Sequence, residues 1–313
     1  MAAIPAGRVY SVLDRALIWA SEKNRIKDFV TQGKLAGVAH RFVAGDHLED
    51  AIQAIKELNA KGIGGILDLL GEGVTDPAGA RAAAEEYHAS IKRIDETGLD
   101  TTVSIKLTQL GLAFDKGACI DYVRRLAADA QRIGTRIEID MEQSEYVVDT
   151  LDVYRLLCAD FPDLRIAVQV YLRRTPVDLE TLSALKPRVR LVKGAYAEPE
   201  HLAFQKRKEI DAQYRFLTEW LFERGTDPGI ATHDSALVEH AKKTAQAAGT
   251  GKDGFEIQML YGIRQDYQER LAREGHRVRA YVPFGPDWYP YLMRRMAERP
   301  ANLRFFLRAL AGK

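Results

Sequence analysis

The chain has 313 residues, and 45 Lys plus Arg against 44 Asp plus Glu leave a formal charge of +1, with 46% hydrophobic and 28% charged residues. That composition is ordinary for a globular chain and excludes disorder, a coiled coil and a general nucleic-acid binder, which needs a basic excess gathered on one face to displace counterions from phosphates. The length fits either two domains or one α/β barrel of about 250 residues with an extension.

Residues 1–63 precede the first strand signal and carry helical patterns, notably Arg8 to Glu22 and His47 to Lys61, so an N-terminal helical arm or cap is expected there. Asp14 and Arg15 interrupt the apolar stretch Tyr10 to Ala20, and no small-residue cleavage pattern follows, so it is not read as an export signal. No run of about 18 apolar residues occurs, which argues against a transmembrane span. Cys119 and Cys158 lie far apart in helix-like segments and form no C-x-x-C pair, so neither a disulfide framework nor a metal knuckle is indicated and a reducing, cytoplasmic setting fits best.

From residue 64 on, eight short apolar runs alternate with helical periodicity: ILDLL from Ile66, VSIKL from Val103, IEIDM from Ile137, AVQVY from Ala167, RLVKG from Arg190, GIATH from Gly229, EIQML from Glu256 and RAYVP from Arg279. Asp76 before Pro77 suits a helix cap and first turn, as does Thr175 before Pro176 with Asp178 completing a capping box. Gly98, Gly134, Gly225, Gly249 and Gly275 stand where helices should stop. Eight strand and helix units imply parallel strands joined by right-handed crossovers, hence a closed barrel over 64–313.

Parity within the runs supports this. Val103, Ile105 and Leu107 share one face and Ser104 and Lys106 the other; Ile137, Ile139 and Met141 likewise oppose Glu138 and Asp140. A doubly wound sheet, covered on both faces, should read as continuous apolar strands, so the alternation favours a barrel with polar groups pointing into its mouth. Gly62-Ile63-Gly64-Gly65 precedes a strand and lacks the G-x-G-x-x-G spacing, which disfavours a Rossmann dehydrogenase.

Barrel active sites lie at the C-terminal strand ends. The candidates there are Glu72, Lys106, Asp140, Glu142, Gln169, Arg173, Arg190, Lys193, His233, Asp234, Gln258 and Tyr281. Lys106 fits a Schiff-base nucleophile, an electrostatic partner for an anionic substrate or an ion pair with Asp140, and spacing does not separate these. Asp140 and Glu142 without a histidine pattern are a weak metal signal, and no metal is expected. His233 reads equally as a hydrogen-bonded barrel residue or a cofactor contact. In the segment from Tyr281 to Glu298, a helix from Trp288 onward would set Tyr291 on one face with Arg294 and Arg295, an adjacent pair able to clamp a carboxylate bidentately, although a solvated face reads as well from this motif alone.

The runs SIKLTQLG, IDMEQS, RLVKGAY, ATHD and YVPFGPDWYPYLMRRMAE, in that order, resemble proline dehydrogenase, the flavin enzyme of proline catabolism, over roughly residues 40 to 300 and in its monofunctional bacterial form. The resemblance implies a distorted (βα)8 TIM-type barrel with the last barrel helix above the mouth. It implies oxidation of L-proline to 1-pyrroline-5-carboxylate by hydride transfer from C5 to N5 of FAD, with electrons passed to a membrane quinone and the product taken by pyrroline-5-carboxylate dehydrogenase. By residue, it implies that Arg294, Arg295 and Lys106 hold the carboxylate, that Tyr281, Tyr291 and Leu260 surround the ring, and that Glu72 pairs with the first arginine to close the lid. Asp140 and Arg190 would act at the reacting centre, with Met141, Gln169, Arg190, Lys193, Gly194, Ala195, Tyr196, Thr232, His233 and Gln258 on FAD. ATHD departs from relatives that carry Asn at the Asp234 position.

Two rival readings remain at this stage. One is a barrel lyase using Lys106 or Lys193 as an imine-forming amine, and the other is a non-catalytic binding module with an anion site. Peripheral contact with the inner face of the membrane is implied by the quinone, and no signal of oligomeric state is present.

Overall fold

The computed structural model describes residues 41–71 and 74–288. Helix α1 (Leu48–Asn59) leads into β1 (Gly64–Leu69), α2 (Pro77–Thr97), β2 (Thr101–Ile105), α3 (Lys116–Arg132) and β3 (Ile137–Ile139). There follow α4 (Val147–Leu157), β4 (Arg165–Gln169), α5 (Thr175–Leu182), β5 (Arg188–Val192) and α6 (Arg207–Arg224). The chain continues through β6 (Thr226–Ala231), α7 (Ser235–Ala247), β7 (Glu256–Leu260), α8 (Gln265–Arg273) and β8 (Arg277–Phe284). The eight strands are parallel and close in sequence order, β1 pairing with both β2 and β8. All C-terminal strand ends therefore surround one mouth.

All eight expected strands are present. Most begin about two residues earlier than their apolar runs, because polar residues such as Thr101, Arg165 and Arg188 pair into the sheet as well. Asp76 accepts a hydrogen bond from the Gly79 amide at 2.9 Å, with Pro77 in the first turn, and the helix stops at Gly98 in the left-handed region, as expected. The capping box at Thr175 is not found. Thr175 lies inside α5, its hydroxyl donates to the Gln169 carbonyl at 2.6 Å, and Asp178 instead pairs with Arg174 one turn back. The helix starts one residue earlier than expected, with Arg174 at the N-cap, and the Asp178 amide that a Thr175 cap would take is bonded to the Arg174 carbonyl at 3.0 Å. The helical patterns from Arg8 and after Pro300, and the helix expected above the mouth, lie outside the described residues.

The expected helix from His47 is α1, which packs on β1 and β8 with Ile55 fully buried. A Cβ at Gly65 would come within 2.7 Å of Ile55, and one at Gly64 within 2.6 Å of the Arg279 guanidinium. Glycine at this pair is thus explained by close packing on both faces of β1.

Outward-facing strand residues such as Val103, Ile139, Val168, Leu191 and Ile257 meet Tyr87, Leu126, Tyr154, Leu221 and Leu271 of the helices in one continuous core. The inward face is different. Barrel interiors are usually filled by branched apolar residues, whereas here charge runs from floor to mouth. At the floor, Asp227 accepts from Arg136 (2.6 Å), Arg165 (2.8 Å), Arg188 (3.1 Å) and Arg277 (2.8 Å). A register shift between β5 and β6 sets Asp227 at φ 47, and such a bulge re-aims a side chain, here into the arginines. Glu256, fully buried, binds Arg136, Arg165, Arg277 and Arg279.

Burial alone would raise these carboxyls, but the guanidiniums outweigh it and hold Glu138 down at about 2 and Asp227 and Glu256 below their ordinary values. They are ionised in the fold at pH values where the unfolded chain would protonate them. The stability they contribute is complete above the ordinary glutamate value of 4.5 and is lost as pH falls toward about 2. Thermal midpoints are expected to drop progressively below about pH 4.5, and a midpoint level down to about pH 3 would contradict this linkage.

Candidate active site

At the mouth the strand ends surround a cavity of about 620 Å³. Every described residue to which the resemblance assigns a role lines it: Lys106, Asp140 and Met141 at the ends of β2 and β3; Gln169 from β4; Arg190, Lys193, Gly194, Ala195 and Tyr196 from β5 and its loop; Thr232 and His233 after β6; Gln258 and Leu260 from β7; and Tyr281 from β8, whereas the further candidates Glu142, Arg173 and Asp234 are not among the lining residues. Glu72, Tyr291, Arg294 and Arg295 lie outside the described residues.

Asp140 is the hub. Its Oδ1 accepts from Arg190 Nη1 (2.6 Å) and Ser104 Oγ (2.8 Å), and its Oδ2 from the Tyr281 hydroxyl (2.6 Å) and Lys106 Nζ (3.3 Å). Burial opposes its ionisation, but Lys106, Arg190 and the two hydroxyl donors hold its carboxyl below the usual carboxylate range. Arg190 donates its other terminal nitrogen to Glu138 at 2.6 Å and lies 5.2 Å over the Tyr281 ring. Burial, reinforced by Asp140 and Asp68, pushes the Tyr281 phenol well above its ordinary value, so it remains a protonated donor. Burial also works against the Lys106 ammonium, yet Asp68 and Asp140 more than compensate and hold it well above the usual lysine range. An imine-forming lysine must be neutral, so the lyase reading loses Lys106. Lys193 is likewise tied to Asp211 (2.5 Å) and Asp234 (3.6 Å).

His233 serves as a hydrogen-bonded barrel residue and also lines the cavity: its Nε2 accepts from the Leu260 amide at 2.9 Å, which places the ring proton on Nδ1. Asp234 caps α7 through the Ala236 amide (3.0 Å) and binds Arg207 (2.9 Å). Of the other candidates, Glu142 is occupied by the Thr108 amide and hydroxyl, and Arg173 stacks 4.3 Å over Phe204. Among the described residues no group of three or more His, Cys, Asp or Glu is placed to hold a metal.

Two contributors, Asp68 and Ser104, are not among the site candidates read from the sequence, although strand parity sets Ser104 on the polar face. Asp68, in the middle of an apolar β1, is 1% exposed and binds Lys106; Ser104 supports both Asp140 and Arg190 (3.1 Å). A lone aspartate inside ILDLL was the available signal for the first. A flavin's flat ring system needs donors at its carbonyls and an acceptor for its ring N–H. Arg190 Nε and Gln258 Oε1 are a buried donor and a buried acceptor with no hydrogen-bond partner among the described residues, and both residues line this cavity. At Gly194 (φ 108) a Cβ would come within 2.1 Å of the Tyr171 ring, so glycine is required where the β5 loop passes the cavity. These features fit such a group.

A family model described as proline dehydrogenase matches residues 51–308. A proline dehydrogenase of Deinococcus radiodurans is 38% identical over 301 residues, covering 95% of this chain and 97% of the relative. Proline dehydrogenase 1 of Bacillus subtilis is 38% identical over 275 residues, covering 88% and 91%. Among solved structures, proline utilization A from Bdellovibrio bacteriovorus, inactivated by N-propargylglycine, superposes with a TM-score of 0.81 at 22% identity, which speaks for the fold. The match covers 91% of this chain and 36% of that one, so the chain spans about a third of that protein's length. By the family-model match and the extended identity to its curated members, the chain belongs to the proline dehydrogenase family, oxidoreductases of proline catabolism.

Proposed function

We propose that the chain oxidises L-proline to 1-pyrroline-5-carboxylate using FAD held in the mouth cavity. The observation that carries this reading is one buried cluster, in which Asp140 ties together Arg190, Tyr281 and Lys106 beside the unpartnered Arg190 Nε and Gln258 Oε1. When bound, FAD supplies a two-electron acceptor for the hydride leaving proline C5.

Every other task falls to the protein. Arg190 and Gln258 would meet the flavin edge, with Met141, Gln169, Lys193, Gly194, Ala195, Tyr196, Thr232 and His233 forming the remaining wall. The Lys106 ammonium would meet the substrate carboxylate together with Arg294 and Arg295, a charge-assisted contact that orients C5. Leu260 and Tyr281 would pack on the pyrrolidine ring, joined by Tyr291, with Glu72 closing onto the first clamp arginine. Asp140 keeps Arg190 and the Tyr281 phenol in place and stays ionised while the substrate nitrogen loses electron density.

Electrons would pass to a membrane quinone from a peripheral position on the cytoplasmic side, and pyrroline-5-carboxylate dehydrogenase would consume the product. Among the described residues no helix is long and apolar enough to cross a membrane. Residues 1–63 would form an arm or cap and 64–313 the catalytic barrel.

The purified protein is expected to show two flavin absorbance bands between about 350 and 500 nm that bleach on anaerobic addition of L-proline. A protein that stays colourless after FAD is supplied, or a flavin band that proline leaves unchanged, would contradict the reading.

A further inference from the structure

A carboxylate on the interior face of an apolar strand is costly to bury unless a cation meets it. Asp68 meets that condition through Lys106 Nζ and lines the same cavity. Lys106 follows the end of β2, between β1, which carries Asp68, and β3, which leads into Asp140. The two acids do not share the ammonium equally. Asp140 already takes bonds of 2.6, 2.6 and 2.8 Å from Arg190, Tyr281 and Ser104, and Lys106 reaches it only at 3.3 Å. A lysine ammonium has three donors on a flexible stem, so a single anchoring acid largely decides where it points.

Resting on the proline-oxidation reading, we propose that Asp68 is a positioning residue for substrate: it anchors the Lys106 ammonium, so that Asp140 is left to Arg190 and Tyr281 and a remaining Lys106 N–H is presented to the substrate carboxylate. Without the Asp68 charge the ammonium would turn to Asp140 and compete with the two groups that Asp140 holds. Asp68 also faces the Tyr281 phenol, but its effect on the substrate carboxylate runs through Lys106, and this separates it from a residue that merely supports β1.

The test is a double-mutant cycle on the FAD-loaded enzyme with Asp68→Asn, Lys106→Met and the pair combined. Two readouts are used: steady-state kinetics with L-proline, and binding of tetrahydrofuran-2-carboxylate, which keeps ring and carboxylate but lacks the oxidisable amine, followed through the flavin spectrum. Asp68→Asn is expected to raise KM for proline and weaken analogue binding by about tenfold. The same change in the Lys106→Met background is expected to add less than about twofold. A tenfold further loss in that background, or unaltered KM and binding in Asp68→Asn, would overturn the proposal.

If Asp68→Asn does not fold, the combined variant, which removes both members of the pair, is expected to fold, and a combined variant equally unfolded would overturn the coupling. Wild-type protein that binds the analogue without oxidising proline contradicts the oxidation reading instead, and the binding cycle then still decides the Asp68 role.

Discussion

Asp140→Asn is expected to lower kcat/KM for L-proline by on the order of 10²- to 10⁴-fold. The reason is in how the four donors divide. Arg190 and Ser104 occupy Oδ1, and Tyr281 and Lys106 occupy Oδ2. An asparagine must turn its NH2 toward one of these pairs. Serine and tyrosine hydroxyls can rotate to accept, but guanidinium and ammonium have no acceptor. Whichever way the amide turns, one cation loses its hydrogen bond and faces a donor, and both lose a counter-charge. Steady-state kinetics on variant protein with wild-type circular dichroism and flavin content would check this. A loss below about threefold would remove Asp140 from the centre of the site.

Glu256→Gln is expected to act on stability at the opposite end of the barrel, lowering it by about 3–5 kcal/mol, or roughly 5–15 °C in Tm. Glu256 Oε1 accepts from Arg136 (3.0 Å), Arg277 (2.7 Å) and Arg279 (3.2 Å), and Oε2 from Arg165 (2.5 Å) and Gln258 (3.0 Å). Arg165 is fully buried and cannot shed its charge or reach water. Its remaining acid partners, Asp227 at 2.8 Å and Glu138 at 3.5 Å, would carry it alone. Differential scanning calorimetry would measure the shift. Glu269→Gln, which breaks the solvent-exposed pair with Lys61, serves as the control, with an expected change of about 2 °C or less. Equal shifts in the two variants would mean that burial does not set the cost.

The floor network explains why the parity reading was right in direction and too narrow in extent. Alternation in VSIKL and IEIDM correctly gave one polar face, and Ser104, Glu138 and Asp140 do share it. The expectation of polar groups pointing into the mouth did not extend to Arg136, Arg165 and Arg188, which lie ahead of the apolar runs. Arg165 and Arg188 prove to be in the sheet because strand pairing starts earlier, a start decided by neighbouring strands more than by a strand's own side chains, while Arg136 directly precedes β3 and reaches Asp227 and Glu256. The cap at Asp76 was legible, since it needs only residues within one turn, whereas Thr175 failed because the helix begins one residue earlier, where the Arg174 carbonyl takes the Asp178 amide and the Thr175 hydroxyl turns back to the Gln169 carbonyl.

Local periodicity was enough to give eight strands, their order, the helices between them and the caps at Asp76 and Gly98, since each depends on spacings of two to four residues. It also gave the residue types that gather at the mouth. Closure of the sheet assigned the partners: Tyr281 meets Asp140 across 141 positions, Arg165 meets Glu256 across 91, and Lys106 meets Asp68 across 38. No local pattern encodes such pairs, because an ionised side chain specifies only that it needs a counter-charge when buried, and the barrel decides which one it finds.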